Sequence, residues 1–144
     1  WGVLLLFGGG LSLAAAAQSS GLAAWIGGSM PTGLNIFLLV IIFTTLIIFL
    51  TELTSNLATT ATFLPIVAII ATQFGFNPLL LTASIAIAAS CAFMLPVATP
   101  PNAIVFGSEL IKVPQMMRAG IAINLIAIII VSLAGIYLVP YFLI

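Results

Sequence analysis

Almost no residue in this chain carries a charge. Of 144 residues, two are Lys or Arg and two are Asp or Glu, while 64% are hydrophobic. A soluble globular domain has roughly a quarter of its residues charged, so most of this chain is expected to lie in hydrocarbon. The net charge of zero gives no electrostatic basis for binding nucleic acid.

The apolar runs are continuous and lack the alternation that membrane-barrel strands need. Since a spanning helix requires about 20 mostly apolar residues, the pattern predicts an all-α, polytopic membrane protein. Turn-forming residues at 31–35 and 75–78 separate some of the segments. The predicted segments are a transmembrane helix over 1–17, an interfacial helix over 18–30, a helical hairpin over 35–74, a crossing over 79–111 and a last transmembrane helix over 119–142.

Polar residues interrupt the hairpin in the stretch TELTSN, at 51–56. Two interpretations stay open. Either both limbs cross the membrane and a loop joins them, or they form a re-entrant hairpin whose tip, 51–57, stops at mid-depth. The lengths of the limbs permit both arrangements, and both place the hairpin ends on the same side.

The crossing over 79–111 is interrupted within MLPVATPPNAIVFG, at 94–107. The nine residues that follow, 103–111, would rise only about 14 Å as a helix, which is too short to cross a bilayer. We therefore predict one crossing that is broken over 96–102.

Three prolines explain the predicted break. Pro96, Pro100 and Pro101 have no N–H group and disfavour a continuous helix. Thr99 is the predicted N-cap of the second half, with Pro100 at the first helical position. Unwound backbone at this depth is tolerated only where it faces protein or a wet cavity.

A broken helix offers carbonyl groups from its first half and N–H groups from its second. The carbonyl end suits a cation and the N–H end suits an anion. Many secondary transporters bind substrate and coupling ion at such interruptions. Because no Lys or Arg lies near either interruption, an anion must rely on dipoles, amides and a bound cation. The pattern therefore favours cation-coupled anion uptake.

The residues at both interruptions resemble the divalent anion/sodium symporter family, the Na⁺-coupled dicarboxylate, tricarboxylate and sulfate carriers. TELTSN and MLPVATPPNAIVFGS give the resemblance, together with LLFGGGLSLAAAAQSSGLAAWIGG near the start. The resemblance implies a homodimer with elevator-type transport, built from two inverted repeats that each contain a re-entrant hairpin and a broken helix. This chain would be the C-terminal repeat of a longer protein, without the N-terminal repeat.

The resemblance also implies site residues. The substrate-binding residues would be Ser55, Asn56, Leu57, Thr99, Pro100 and Asn102. The Na⁺ ligands would be Thr51, Thr54 and Asn56, with the carbonyls of Ala98 and Pro100. Leu57 replaces a Thr of the family motif and so removes a hydroxyl group. The substrate therefore stays open between a succinate-like dicarboxylate, citrate and sulfate, and so does the choice between symport and exchange.

Two other functions compete with transport. A purely structural or channel subunit of the membrane needs none of these sites. An intramembrane enzyme would need a base, and the chain has no His, so only Glu52 could activate Ser55. We therefore predict that the protein is not an enzyme. Glu52 has either a functional role, or it hydrogen-bonds backbone within the tip or lies in a wet vestibule. Asn124 is expected to form an interhelical hydrogen bond.

Lys112 and Arg118 are predicted to share one loop. By the positive-inside rule this loop faces the cytoplasm. The membrane itself is expected to be a plasma membrane or a bacterial inner membrane. The single cysteine, Cys91, is expected to be a small buried apolar side chain in a helix.

Overall fold

The computed structural model describes residues 1–29 and 35–143. These residues form helices and no strand, which confirms the predicted all-α membrane protein. The helices are α1 (Gly2–Ser19), α2 (Leu22–Ser29), α3 (Ile36–Thr51), α4 (Asn56–Gln73), α5 (Pro78–Ala88), α6 (Pro100–Gly107) and α7 (Val113–Leu143). Among the described residues, α4 and the part of α7 over Val113–Phe142 are long and apolar enough to cross a membrane.

Three helices begin at side-chain caps. Asn35 accepts a hydrogen bond from the Leu38 N–H at 2.8 Å, and Asn77 accepts one from the Leu79 N–H at 3.0 Å. Thr99 caps α6, which confirms its prediction as an N-cap. Such caps satisfy N–H groups that have no partner within the helix. Apart from Asn35, the turn predicted over 31–35 lies outside the described residues.

The hydrophobic core lies between α3, α4, α5 and α7. One face of α3 is fully buried, and its residues recur at helical spacing. They pack with apolar residues of α5 and α7. The buried apolar residues that these three helices contribute to the core are Leu39, Val40, Phe43, Ile47 and Ile48 of α3, Leu81, Ile85 and Ala88 of α5, and Ile128 and Val131 of α7. Helix α4 adds Val67, Ile70 and Ala71 to the core and also packs against α1, and α2 packs against α4.

The directions of the core helices follow from their contacts. Helices α3 and α5 pack side by side, and the Thr51 hydroxyl at the end of α3 reaches the Ala89 carbonyl at the end of α5, so the two helices run in parallel. Gly120 lies against the backbone of Phe93, whereas Gly135, fifteen residues later, lies against Ser84. Helix α7 therefore runs antiparallel to α5.

The helix break differs from its predicted position. Helix α5 ends at Ala88 and α6 begins at Pro100, so the unwound segment is 89–99 and not 96–102. The helix thus stops well before the first proline of the segment, for a reason given with the site below. With lengths of about 16 and 12 Å, neither α5 nor α6 can cross a hydrocarbon core of about 30 Å alone.

Two other bounds also differ. Helix α7 begins at Val113 and not at 119, because Pro114 fits the first turn of a helix. Arg118 therefore lies in α7, and only Lys112 stays in the connection over 108–112. The predicted interfacial helix over 18–30 is divided, because Gly21 has a φ of +75° between α1 and α2.

Candidate functional site

The two interruptions meet and line one open cavity of about 800 Å³. The hairpin tip provides one wall, and the unwound segment with the start of α6 provides the other. The lining includes all six residues predicted to bind substrate: Ser55, Asn56, Leu57, Thr99, Pro100 and Asn102. It also includes Thr54 and Ala98 of the predicted cation site, whereas Thr51 is buried behind it.

No charged side chain lines this cavity among the described residues. Its polar side chains are neutral hydroxyl and amide groups, and its apolar side chains include Leu53, Leu57 and Val97. Leu53 is 77% exposed and Val97 is 84% exposed. A ligand here would therefore meet neutral dipoles and apolar side chains.

Helix α4 begins in the cavity with unpartnered donors. Ser55 is its N-cap residue, but the Ser55 side chain makes no capping hydrogen bond. The N–H groups of Asn56, Leu57 and Ala58 have no acceptor within the described residues. The positive end of a helix with free N–H groups is a favourable place for an anion. The Ser55 hydroxyl could add a fourth donor.

Helix α6 also begins in the cavity but has no such donors. Pro100 and Pro101 lack N–H groups, and the Asn102 N–H donates to Thr99 Oγ1 at 3.4 Å. The expectation that the second half of the broken helix offers N–H groups to an anion is therefore wrong. Among the described residues of the cavity, the free N–H groups belong instead to the start of α4, at the hairpin tip.

Neutral oxygen atoms cluster beside the tip. Thr51 Oγ1 lies 2.6 Å from Asn56 Oδ1 and 2.9 Å from the Ala89 carbonyl oxygen. Thr54 Oγ1 lies 2.5 Å from Thr59 Oγ1 and donates to the Leu50 carbonyl at 2.9 Å. Each hydroxyl has one hydrogen and two lone pairs, so these oxygens can still face a cation.

The two predicted carbonyl ligands differ in their setting. Ala98 lies in the unwound segment, and its carbonyl accepts no hydrogen bond from the described residues. Pro100 is the first residue of α6, where the carbonyl takes part in the helical hydrogen bonds. Hydroxyl, amide and carbonyl oxygens are the neutral ligands that a hard cation accepts, so this oxygen set fits Na⁺.

Glu52 lies in the hairpin tip but does not line the cavity, and only 3% of it is exposed. Its carboxylate accepts hydrogen bonds from the main-chain N–H groups of Phe93 at 2.7 Å, Met94 at 2.9 Å and Leu95 at 3.1 Å. The Asn124 amide of α7 donates a fourth, at 2.8 Å. Of the alternatives for Glu52, bonding to backbone within the tip is wrong, since its backbone partners are residues 93–95, and a wet vestibule is wrong, since the side chain is buried. The interhelical role of Asn124 is confirmed.

These contacts explain why α5 ends before the prolines. In a continuous helix the Phe93 N–H would donate to the Ala89 carbonyl. Here the Phe93 N–H donates to Glu52, and the Ala89 carbonyl accepts from Thr51. Two neighbouring side chains of the hairpin thus replace one helical hydrogen bond of the crossing.

Asn102 holds the other end of the unwound segment. Its amide nitrogen donates to the carbonyls of Ala92 at 2.9 Å and Leu95 at 3.0 Å. Because both amide hydrogens point at the backbone, the group that Asn102 can offer a ligand is its oxygen, an acceptor. Its chemistry therefore suits a cation better than a carboxylate.

Sequence reasoning missed Ser90 and Phe93 as cavity residues. It placed them in a helix continuing to Leu95, together with Cys91, which is half-buried in the unwound segment rather than buried in a helix. The available signal was Glu52 itself, because an acidic residue predicted at membrane depth needs hydrogen-bond donors close to it. The Ser55–Glu52 pair that an enzyme would need is not formed among the described residues, where the partners of Glu52 are the N–H groups of 93–95 and Asn124.

Known proteins resemble the whole chain. A family profile described as "Sodium:sulfate symporter transmembrane region" matches residues 1–144. A sodium-dependent dicarboxylate transporter SdcS from Staphylococcus saprophyticus is 46% identical over 142 residues, which are 97% of this chain and 27% of the relative. Proteins of the same name from Staphylococcus aureus strains MRSA252 and USA300 are 50% identical over the same shares. The chain thus spans about a quarter of the length of these curated relatives.

Proposed function

Because this chain belongs to the sodium:sulfate symporter family, we propose that it is the C-terminal repeat of a transporter that couples dicarboxylate uptake to Na⁺. The observation that supports this most directly is the shared cavity of the hairpin tip and the unwound segment. One wall has free N–H donors for an anion, and both walls have neutral oxygens for a cation.

In this proposal the substrate carboxylate binds at the start of α4. The N–H groups of Asn56 and Leu57 and the Ser55 hydroxyl donate to it, and the positive end of the helix stabilises its charge. Na⁺ binds beside it to oxygens of Thr51, Thr54 and Asn56 and to the Ala98 carbonyl. Thr99, Pro100 and Asn102 form the opposite wall, where the Pro100 carbonyl is the least available of the proposed ligands.

The absence of a cationic side chain in the described lining supports coupling. A dianion transferred from water to a site with only neutral dipoles loses hydration that these dipoles replace in part. A cation bound next to it offsets the remaining charge. Anion affinity should therefore rise with Na⁺ concentration.

A dicarboxylate is favoured over sulfate at this site. The relatives' names give dicarboxylate, whereas the family description gives sulfate. Leu57 places an apolar side chain in the lining, where the family motif would have a hydroxyl. The methylene groups of a succinate-like substrate can pack against it, while sulfate would leave it without an apolar partner. Sulfate transport and anion exchange are the alternatives.

The architecture follows from the same proposal. Helices α3 and α4 form a re-entrant hairpin with its tip at 51–57, α5 and α6 form one broken crossing, and α7 is the last crossing. An N-terminal repeat completes the transporter, which acts as a homodimer by an elevator-type motion. The end of the helix bundle that carries Lys112 and Arg118 faces the cytoplasm.

Replacing Asn56 tests the site. We expect Asn56→Ala in the intact transporter to reduce Na⁺-dependent succinate uptake into proteoliposomes by at least about tenfold. The change removes a cation ligand and an amide beside the N–H donors, and one lost interaction of about 1.4 kcal/mol accounts for such a factor.

Thr72→Ala is the matched control. Thr72 is exposed near the end of α4, and its hydroxyl bonds only the Ile69 carbonyl of its own helix. Its uptake should equal that of the wild type. Undiminished uptake by Asn56→Ala would contradict the site, and a sulfate preference over succinate in the wild type would contradict the proposed substrate.

A further inference from the structure

Glu52 is an intramembrane carboxylate that the proposed ligand chemistry does not use. It is buried, it does not line the cavity, and no Lys or Arg is bonded to it among the described residues. Instead it accepts four hydrogen bonds from groups that lie 41 to 72 residues away in the sequence. Such a costly group needs a reason to lie at membrane depth.

The four donors show which charge state fits. Three main-chain N–H groups and one amide N–H₂ all require an acceptor, and an ionised carboxylate offers only acceptors. Hydrogen bonds to an ionised acceptor are also stronger than those between neutral groups. Glu52 thus occupies the N–H cluster of residues 93–95 as an internal anion, which also keeps a substrate anion out of that cluster.

The neighbouring residue completes the effect. Thr51 donates a hydrogen bond to the Ala89 carbonyl, and Glu52 accepts one from the Phe93 N–H. In a continuous helix the Phe93 N–H would donate to the Ala89 carbonyl. Together they keep residues 89–95 out of the helical conformation. The hairpin tip and the unwound segment are therefore joined at the level where both line the cavity.

We propose that Glu52 is a positioning residue of the transporter, whose carboxylate holds the unwound segment against the hairpin tip and so fixes the two halves of the cation site relative to each other. The inference rests on the proposed function, because it concerns the oxygens of the tip and of Ala98. Cation affinity then depends on Glu52 although it touches neither ion nor substrate.

The Glu52→Gln variant of the intact transporter tests this. Gln keeps the size of the side chain but presents an N–H₂ group where the carboxylate has an acceptor. We expect faster amide hydrogen exchange in peptides covering 93–97. We also expect a 10- to 100-fold higher Na⁺ concentration for half-maximal thermal stabilisation, since partners that orient metal ligands typically contribute about that factor.

Two variants make the test specific. Glu109→Gln makes the same chemical change at an exposed residue in the connection before α7 and should change neither measurement. Glu52→Asp keeps the charge on a shorter side chain, so it should give intermediate exchange and an intermediate Na⁺ requirement. If Glu52→Gln fails to fold, Glu52→Asp alone decides.

The possible outcomes are distinct. Unchanged exchange at 93–97, or an unchanged Na⁺ requirement alongside a uniform loss of thermal stability, would show a merely structural residue and overturn the proposal. If the wild type itself shows no stabilisation by Na⁺, the proposed function fails. In that case the amide hydrogen exchange of residues 93–97 alone decides whether Glu52 holds the unwound segment.

Discussion

At the scale of single residues, buried hydroxyl groups in the core helices differ in whether they have a partner. Thr44 of α3 and Ser132 of α7 are fully buried, and their hydroxyl oxygens have no hydrogen-bond partner among the described residues. Thr59 of α4 is also buried, but its hydroxyl pairs with Thr54 beside the cavity. A buried polar group without a partner lowers stability, whereas a paired one does not.

We therefore expect Thr44→Val to raise the stability of the protein. Val has the same shape as Thr, so the change removes an unpartnered hydroxyl without opening a cavity. The gain should be about 1 kcal/mol, measured as a higher thermal unfolding temperature in detergent. Thr59→Val is the matched control, since it removes a paired hydroxyl and should lower that temperature. If Thr44→Val lowered the unfolding temperature and Thr59→Val raised it, the assigned hydrogen-bond partners would be wrong.

At the scale of secondary-structure elements, local rules predicted the cap at Thr99 but not where the helix breaks. The family resemblance implied that the hairpin tip and the proline-rich segment contribute to one site. The end of α5 at Ala88 could not be predicted, because Thr51 and Glu52 replace its hydrogen bonds from across the molecule. Proline itself decides less, since Pro65 and Pro140 lie inside α4 and α7.

The packing of α5 on α7 gives a prediction at this scale. A Cβ atom added to Gly135 would overlap Ser84 Oγ and lie 3.1 Å from Ser84 Cβ. Gly135→Ala should therefore destabilise the protein by about 1–3 kcal/mol, as overpacking of a core does. Thermal unfolding in detergent measures the change.

A second change and a control follow from the same geometry. Ser84→Ala removes the overlapping hydroxyl and should restore part of the stability lost in Gly135→Ala. Gly8→Ala is the control, because nothing lies within 4 Å of a Cβ there, and Ala is favoured over Gly in a helix by about 0.5–1 kcal/mol. Equal losses at Gly135 and Gly8 would exclude the packing explanation.

At the scale of the whole molecule, the described helices place the turn between α4 and α5 and the connection over 108–112 at opposite ends of the α5–α6 crossing. Lys112 lies in that connection and Arg118 in the first turns of α7. The proposal made above from the positive-inside rule is that this end faces the cytoplasm.

Cysteine labelling in intact cells measures this orientation. In a background with Cys91→Ala and no other reactive thiol, Leu110→Cys, at an 86% exposed site, should react with a membrane-impermeant maleimide only after permeabilisation. Thr72→Cys, near the opposite end, should react without it. The opposite labelling pattern would mean that the chain is inserted the other way round.

The uncharged lining of the cavity among the described residues bears on the elevator-type motion proposed above. Without cargo, the moving part would carry the charge of the buried Glu52 carboxylate, on which the membrane potential acts with about 2.3 kcal/mol per 100 mV. A bound dianion would add two negative charges, whereas each bound Na⁺ would remove one. A site holding substrate without Na⁺ would therefore be the most strongly opposed by an inside-negative potential, so that electrostatics would act against slippage between substrate and ion.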